Sequence, residues 1–370
     1  MLYFSFFILI FASDLRSNMA KRSIVFIINP ISGTQSKDNI IELISQHLDQ
    51  DKFNYQVVRT EYAGHATLLA QEHVEKGCDA VVAIGGDGTV NEIARSLVHT
   101  SVAFGVIPCG SGNGLARHLR IPMDPLGSIK VLNRFDIECL DYGKINDVPF
   151  FCTCGVGFDA FVSSKFAHSE KRGVLTYLEN TLREGLKYKP DTYEIEIEGE
   201  TSKYKAFLIA CANASQYGNN AYIAPHASMS DGLMDVTIME PFTVLEAPQI
   251  AVQLFNRTLL QNNKIKTFRC KNIRIHREHP GVIHFDGDPM SAGTDIDVQL
   301  IQKGLNMIVN TQQASDTAFG RVVSELYDEL ISLSISVRNR NIRRIDSFNL
   351  KSATPFPKCY LHKEKWTFDS

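Results

Sequence analysis

The sequence lacks the features that would place it at once in several large classes of protein. Its 38 lysines and arginines face 41 acidic residues, and the absence of a basic excess argues against a nucleic-acid partner. Its eight cysteines include no CxxC pair and no zinc-ligand spacing, so we expect reduced, mostly buried thiols in a cytoplasmic protein. Beyond residue 18, no apolar run approaches the roughly 18 residues that a membrane-spanning helix needs.

The first twelve residues are apolar, but they are too few to span a bilayer, and they lack the positive charge that precedes the apolar run of a signal peptide. Met19 is followed by Ala20-Lys21-Arg22 and then directly by a strand-like run. We therefore interpret Met19 as the start of the protein and 1–18 as an N-terminal extension or an upstream over-read. A cleaved signal or an interfacial anchor is the alternative.

The length of 370 residues predicts two domains. Strand and helix signals alternate in the first part, where 23–29, 79–84 and 103–108 are buried-strand runs, and this alternation predicts a parallel sheet covered on both faces. The second part predicts an antiparallel β-sandwich, because short strands separated by turn residues follow one another at 193–198, 205–210, 235–239, 273–276, 282–285 and 296–300. Helical patterns are present at 161–186 and 244–260.

These patterns define the predicted domains. Residues 19–141, with a return segment at about 301–335, form an α/β domain, and 142–300 form the sandwich. Residues 336–370 form a C-terminal tail, in which 336–365 carry eight basic side chains against two acids. We interpret the tail as solvated; attraction to an anionic membrane surface is the alternative.

The strongest motif is GGDGTVNE at 85–92, which follows a buried strand and opens a helix. Adjacent glycines let the backbone approach a ligand, and a helix start presents free N–H groups to an anion. Asp87 would repel a bare phosphate unless a divalent cation lay between them, so the motif predicts a metal–nucleotide site. A tight turn with Asp87 as a helix cap is the alternative.

A second glycine loop, PCGSGNG at 108–114, follows the next strand. Two such loops on successive parallel strands should lie side by side at one edge of the sheet. Neither matches GxxxxGK[ST] or GxGxxG. The segment GVGFDA at 155–160 does fit GxGxxA and would favour a dinucleotide oxidoreductase, but it lies where the strand–helix alternation ends.

Together with NPISG at 29–33, GSGNGLA at 110–116 and Asp286-Gly287-Asp288, the first motif resembles the diacylglycerol kinase catalytic-domain family. This family includes bacterial lipid kinases and sphingosine kinases, and the resemblance covers roughly residues 20–310. It implies ATP-dependent phosphorylation of a lipid hydroxyl. The site would be a cleft between a NAD-kinase-like and phosphofructokinase-like α/β domain and the β-sandwich.

The resemblance also implies roles for single residues. It assigns nucleotide binding to Asn29, Pro30, Ile31, Ser32, Gly33, Thr60, Gly85, Gly86, Asp87, Gly88, Thr89, Val90, Asn91, Glu92, Gly110, Ser111, Gly112 and Asn113. Asp286 and Asp288 stand at the family's Asp-Gly-Glu motif, which serves base catalysis and magnesium, and Asp286 is our first choice as the proton acceptor. Asp87 is also a catalytic candidate, because sphingosine-kinase relatives give this acid the proton-transfer role.

Two further positions follow from the resemblance. Asp159 is expected near the substrate, with a helix N-cap as the alternative. Ser228, Asp231 and Leu233 resemble a structural magnesium site, although the neutral Ser228 hydroxyl stands where a carboxylate or amide is usual and is a weaker ligand. A plain turn before the next strand is the alternative at these three residues.

The implied cofactors are ATP and Mg²⁺, and the implied partner is a lipid substrate at a membrane surface. Residues 161–165 contain no acid to pair with a sphingosine amine, which favours diacylglycerol or another neutral lipid alcohol. GSGNG is closer to sphingosine and ceramide kinases, so that substrate class stays open. The motifs are also compatible with a soluble-substrate kinase of the NAD-kinase type and with a non-catalytic lipid-binding protein. We expect a cytoplasmic protein with peripheral membrane contact, and a homodimer is a compatible assembly.

Overall fold

The computed structural model of this chain describes residues 20–33, 36–167, 185 and 188–312. Its first lobe contains a parallel sheet in the order β2 (Phe53–Arg59), β1 (Arg22–Ile28), β3 (Ala80–Gly85), β4 (Ala103–Pro108). Every residue of β3 and β4 is buried, as their continuous apolar sequences predict. The predicted parallel sheet is therefore confirmed.

Helices flank this sheet: α1 (Lys37–His47), α2 (His65–Glu75), α3 (Asp87–Leu97), α4 (Gly114–His118) and α5 (Pro125–Arg134). Helix α1 begins where the Ser36 side chain accepts a hydrogen bond from the backbone N–H of Asn39. Its inner face buries Ile40 and Ile44, four residues apart. The loops that precede α3 and α4 start at the carboxyl ends of β3 and β4.

A long strand extends the sheet into the second lobe. β16 (Asp295–Ile308) pairs in parallel with β4 at Met307 and Phe104, and it runs antiparallel to β5 (Ile137–Ile145). Beyond β16 follow β13 (Asn272–Arg277), β8 (Asp191–Ile197) and β9 (Glu200–Ala206), while β6 (Val148–Phe150) pairs with β5. One sheet thus passes through both lobes, and the predicted boundary at residue 141 falls inside β5.

The second sheet is antiparallel, in the order β12 (Ile265–Cys270), β11 (Met234–Met239), β10 (Leu208–Ala212), β7 (Thr153–Gly157), β14 (Gly281–Phe285), β15 (Asp288–Ala292). It packs on the extension of the first sheet around a shared core, to which Ile209 and Val236 contribute from one side and Ile275 and Val298 from the other. The predicted antiparallel sandwich is confirmed, with one of its sheets continuous with the α/β sheet.

Two elements in this lobe differ from the sequence prediction. The predicted strand at 205–210 is divided at Phe207 between β9 and β10, which belong to different sheets, because Phe207 turns into a separate apolar cluster. β7 lies between β10 and β14 in an antiparallel sheet, so GVGFDA is not part of a βαβ unit and the dinucleotide interpretation is wrong. Helix α6 (Phe158–Ala167) follows β7.

The second predicted helix is observed as α7 (Ala247–Phe255), followed by a 3₁₀ turn at Leu259–Gln261. Predictions for 1–18, for most of 168–187 and for 313–370, including the basic tail and most of the return segment, lie outside the described residues. Within the described part of the chain, no helix is both long and apolar enough to cross a membrane.

Candidate active site

The two glycine loops, 85–88 and 109–114, lie against each other at the carboxyl edge of the parallel sheet. A Cβ atom added to Gly110 would lie 2.7 Å from the Cα atom of Gly86, and one added to Gly86 would lie 3.2 Å from the Cα atom of Gly110. Only glycine permits this approach on both sides. The side-by-side placement expected from the order of the strands is present.

Asp87 joins the two loops. Its carboxylate accepts hydrogen bonds from the backbone N–H of Asn113 at 2.8 Å and from that of Gly114 at 2.7 Å. It therefore caps the start of α4, whereas its own helix, α3, begins at Gly86 without a side-chain cap. Each carboxylate oxygen keeps a further lone pair for a ligand.

The segment 29–33 completes the edge. The Asn29 side chain donates to Thr89 Oγ1 at 3.0 Å and accepts from the backbone N–H of Ile31. Gly33 has a φ of 62°, and a Cβ atom there would meet the carbonyl oxygen of Cys109 at 1.8 Å. The segment is thus anchored to the first motif at Asn29 and borders the second loop at Gly33, with Pro30 and Ser32 between these two positions.

Some residues of the predicted nucleotide site have their side chains occupied elsewhere. Val90 is buried in the core of the first lobe. The Glu92 carboxylate accepts from the backbone N–H groups of Gly64 at 3.0 Å and Ala66 at 3.2 Å, and it thereby caps the start of α2. Successive residues on a helix point about 100° apart, so one motif cannot aim all its side chains at one ligand.

Three other residues of this predicted site lie around the same edge. Thr60 is buried at the end of β2, where its N–H donates to the carbonyl of Ile28. Ser111 is exposed, and Gly112 packs against the Asp87 carboxylate.

Asp286 stands on the opposite lobe, directly after β14, with a φ of 51°. Its carboxylate accepts three backbone N–H bonds, from Phe151 at 2.8 Å, Cys152 at 2.7 Å and Thr153 at 3.1 Å. Loss of hydration raises the pKa of this carboxyl to about 6, and the three N–H groups and the Arg95 guanidinium oppose that rise. The residue is partly exposed, and it lines the cavity described next.

A cavity of about 130 Å³ lies between the loops and the sandwich. Its walls include Asp87 and Asn91 from the first lobe and Asp159, Tyr217, His284 and Asp286 from the second. Two carboxylates predicted to be catalytic therefore face one enclosed space, although they are about 200 residues apart in the chain. Such a concave site with converging polar groups is typical of an active site.

Asp159 belongs to a buried polar cluster on the second-lobe wall. Its Oδ2 atom accepts from the hydroxyl of Tyr217 at 3.1 Å and lies 3.0 Å from His284 Nε2, while Oδ1 accepts from the backbone N–H of Ala160. Side-chain exposure is 8% for Asp159 and 2% for His284. Sequence reasoning missed Tyr217 and His284, although His284 lies only two residues before the predicted catalytic Asp286.

Two buried atoms on the cavity wall lack a hydrogen-bond partner among the described residues: Asn91 Nδ2 and His284 Nδ1. A carboxylate only accepts hydrogen bonds, so His284 Nε2 donates to Asp159. The Asn91 amide nitrogen is a donor, so the cavity lining includes at least one donor without a partner in the part of the chain that the structure describes.

Asp288 is placed apart from these groups. Its carboxylate pairs with Arg95 at 3.4 Å, and its side chain is half-exposed. Arg95 is itself held by the carbonyl oxygen of Pro149 at 3.3 Å and by the ring of Phe285, whose centroid is 4.9 Å from the guanidinium carbon. Asp87 and Asp286 therefore line the same cavity, whereas the Asp288 carboxylate is paired with the Arg95 guanidinium.

The side chains of the predicted structural magnesium site have protein partners in the structure, and the site stays a prediction. The Asp231 carboxylate pairs with Arg269 and accepts from the backbone N–H of Leu233 at 3.1 Å. The Ser228 hydroxyl is near that of Ser230, at 3.4 Å. An acid already paired with a guanidinium and a neutral hydroxyl are a poor donor set for Mg²⁺. Nowhere in the described ranges do three or more His, Cys, Asp or Glu side chains form a group that could hold a metal.

Two family models match the chain. The diacylglycerol kinase catalytic domain matches residues 23–145, and the YegS C-terminal NAD kinase beta sandwich-like domain matches residues 152–308. An uncharacterized Synechocystis protein is 28% identical, over 78% of this chain and 70% of its own length. A diacylglycerol kinase of Mycobacterium tuberculosis is also 28% identical, over 61% and 75%. A crystal structure of a Bacillus anthracis diacylglycerol kinase, 20% identical, shares the fold with a TM-score of 0.62 and covers 79% of this chain and 98% of its own.

Proposed function

Because this chain belongs to the diacylglycerol kinase catalytic-domain family and is a lipid kinase, we propose that its acceptor is diacylglycerol or a closely related neutral lipid alcohol. The observation that carries the proposal is the shared cavity: Asp286 faces it from the sandwich, and Asp87 faces it from the glycine loops. A lipid hydroxyl between them would lie beside a proton acceptor and beside the proposed phosphate site.

The nucleotide phosphates would bind over 85–88 and 109–114, where glycine backbone and the start of α3 present N–H groups to an anion. Asp286, with a pKa of about 6, is mostly ionised at neutral pH and can accept the proton of the hydroxyl. The hydroxyl oxygen then forms a bond to the γ-phosphorus, and the bond from that phosphorus to the β–γ bridging oxygen breaks. The proton stays on Asp286, and ADP leaves with the bridging oxygen.

We propose that Mg²⁺ accompanies ATP. One carboxylate together with phosphate oxygens and waters is a usual environment for Mg²⁺, and Asp87 on the cavity wall is the residue that would hold it. When bound, Mg²⁺ would neutralise part of the phosphate charge.

Recognition of a neutral acceptor is supported by the Asp159 cluster. Three of the roughly four acceptor positions of this carboxylate are used by Tyr217, His284 and the backbone N–H of Ala160, which leaves a single position on Oδ1 for an ammonium group. Asn91 Nδ2 remains as a donor for oxygen atoms of the acceptor, such as hydroxyl and ester oxygens. Ceramide is a second candidate, because the oxygen of its additional hydroxyl could also accept from this donor.

The test is incubation with γ-labelled ATP, Mg²⁺ and a panel of lipid alcohols in mixed micelles. We expect label in the diacylglycerol product and none in sphingosine phosphate, with Asp286→Asn protein as the matched control. Preferential labelling of ceramide or sphingosine would replace the proposed substrate. Labelling of NAD without any lipid product would instead favour a soluble-substrate kinase.

A further inference from the structure

Helix α7 and the turn before it expose four large apolar side chains, which we call the α7 stripe: Val244, Leu245, Val252 and Phe255. Their exposed fractions are 62%, 92%, 62% and 44%. Val252 and Phe255, three residues apart, share one face of α7, and Val244 and Leu245 lie in the turn that precedes the helix. Single exposed apolar residues are ordinary, but a contiguous group of them marks an interaction surface.

The opposite face of α7 is anchored in the protein. Ile250 is buried in the apolar cluster that contains Phe158 and Phe207, and Leu254 packs against the same cluster. The helix is therefore apolar on both sides, and only one side is covered. Because the inner face fixes the helix, the α7 stripe is held outwards in a defined orientation.

A short segment connects α7 to the active-site cavity. The backbone N–H of Tyr222 donates to the carbonyl of Leu254 at 2.8 Å, and that of Asn219 donates to the carbonyl of Gly112 at 2.9 Å. Tyr217, two residues before Asn219, lines the cavity. Residues 217–222 thus connect α7 to the second glycine loop and to the proposed acceptor site.

The charges around the α7 stripe do not oppose an anionic surface. Between residues 243 and 257 the sequence contains a single acid, Glu246, which accepts from Thr243 at 2.7 Å and lies 3.8 Å from Lys264 Nζ. Arg257 is exposed just after the helix ends, with its guanidinium stacked on Tyr222. Apolar side chains beside such a cation are the pattern of a helix lying in a lipid interface.

We propose that the α7 stripe is the surface by which this kinase docks on the phospholipid bilayer that holds its substrate. Leu245, Val252 and Phe255 enter the acyl-chain boundary, and Arg257 lies at the level of the headgroups. The proposal rests on the lipid-kinase assignment, because that substrate resides in a bilayer. In this orientation the bilayer contacts the second lobe, which also carries Asp159 and Asp286.

The test is co-sedimentation of the full chain with vesicles of phosphatidylcholine and phosphatidylglycerol. In the double variant L245D/V252D we expect vesicle affinity to fall at least about tenfold, because two side chains lose burial in the acyl region. L68D is the matched control: Leu68 is 54% exposed on α2 of the first lobe, and this variant should bind vesicles like the wild type. Equal binding by all three proteins would overturn the proposal.

Activity measurements separate this proposal from the proposed function. L245D/V252D should lose phosphorylation of vesicle-embedded diacylglycerol but keep that of a short-chain diacylglycerol dissolved as monomers. If the wild type binds vesicles through the α7 stripe but phosphorylates no diacylglycerol, the docking proposal stands and the proposed substrate is wrong. The wild type could also prove to be a dimer that L245D/V252D converts to a monomer without any change in vesicle binding. The α7 stripe would then be a contact between subunits, and the docking proposal would be overturned.

Discussion

At the scale of single residues, two opposing effects act on the pKa of the Asp286 carboxyl group. Burial raises its pKa to about 6, and three backbone N–H groups and Arg95 limit the rise. The protonated form therefore stabilises the folded state below the ordinary pKa of 3.8, and this stabilisation is lost as the pH rises through about 6. At neutral pH the ionised, reactive form is the one that the fold disfavours.

This property predicts the pH dependence of catalysis. Because the proton acceptor must be ionised, kcat/KM for the lipid should increase with pH and level off above about 6, with the slope of a single titrating group. The measurement is a pH–rate profile with ATP affinity determined over the same range as the control. An acidic limb centred near 4, the value of an ordinary aspartate, would contradict the role of Asp286.

Two acids of the same motif should behave differently when each is replaced by alanine. Asp87→Ala removes the cap of α4 and a carboxylate from the cavity wall, so we expect a loss of stability and a fall in turnover of about 100-fold or more. Glu92→Ala removes the cap of α2, and we expect a loss of about 1–2 kcal/mol in the free energy of unfolding with little change in turnover.

Urea unfolding and steady-state kinetics on both variants check this contrast. Similar losses of turnover in the two variants would mean that Glu92 acts at the nucleotide and not at α2.

At the scale of structural elements, the glycine loops allow a test of where the phosphates bind. A Cβ atom at Gly110 would lie 2.7 Å from Gly86 Cα, so Gly110→Ala should lower both the unfolding midpoint and ATP affinity. A Cβ atom at Gly88 meets no described atom within 4 Å, so Gly88→Ala should leave stability unchanged. We expect Gly88→Ala nevertheless to weaken ATP binding at least about tenfold, because the new methyl group would occupy the proposed phosphate position.

Calorimetric titration with ATP and thermal unfolding measure both effects. Gly293→Ala, also in open space but in the sandwich, is the control. Unaltered ATP affinity in Gly88→Ala would place the phosphates away from the first loop.

The elements that the sequence predicted well are those with a local signal. β1, β3 and β4 are continuous apolar runs, and the glycine loops follow from the order of parallel strands. β5 was missed because it contains Glu138, Asp141 and Lys144 and so has no clean strand periodicity. Asp141 is buried only because the backbone N–H groups of Gly232 and Lys303, 91 and 162 residues away, bind its carboxylate. No local pattern carries that information.

The same limit applies to the candidate site. Asp87 and Asp286 could be named from motifs, whereas the pairing of Asp159 with Tyr217 and His284 depends on how β14, α6 and a loop after β10 meet. The catalytic role of Asp288 stays a prediction, and its pairing with Arg95 from α3 has no signal in the local sequence. Contacts between distant segments determine both arrangements.

At the scale of the whole molecule, continuity of the first sheet determines the position of the site. β16 pairs with β4 at one end and with β13 towards the other, so the strand that closes the α/β sheet also forms the sandwich. The main core of the first lobe includes Met307 and Ile308, and the sandwich core includes Ile296 and Val298 of the same strand. This shared strand holds the glycine loops and Asp286 on opposite walls of one cavity.

The most direct test of the account is turnover of Asp286→Asn with diacylglycerol, measured beside calorimetric titration with ATP. In the proposed mechanism Asp286 accepts the hydroxyl proton and does not bind the nucleotide, so lipid phosphorylation should fall by about 10²–10⁴-fold while ATP affinity is unchanged. Near-normal turnover in this variant would show that the Asp286 carboxylate of the sandwich is not the proton acceptor for a reaction at the glycine loops.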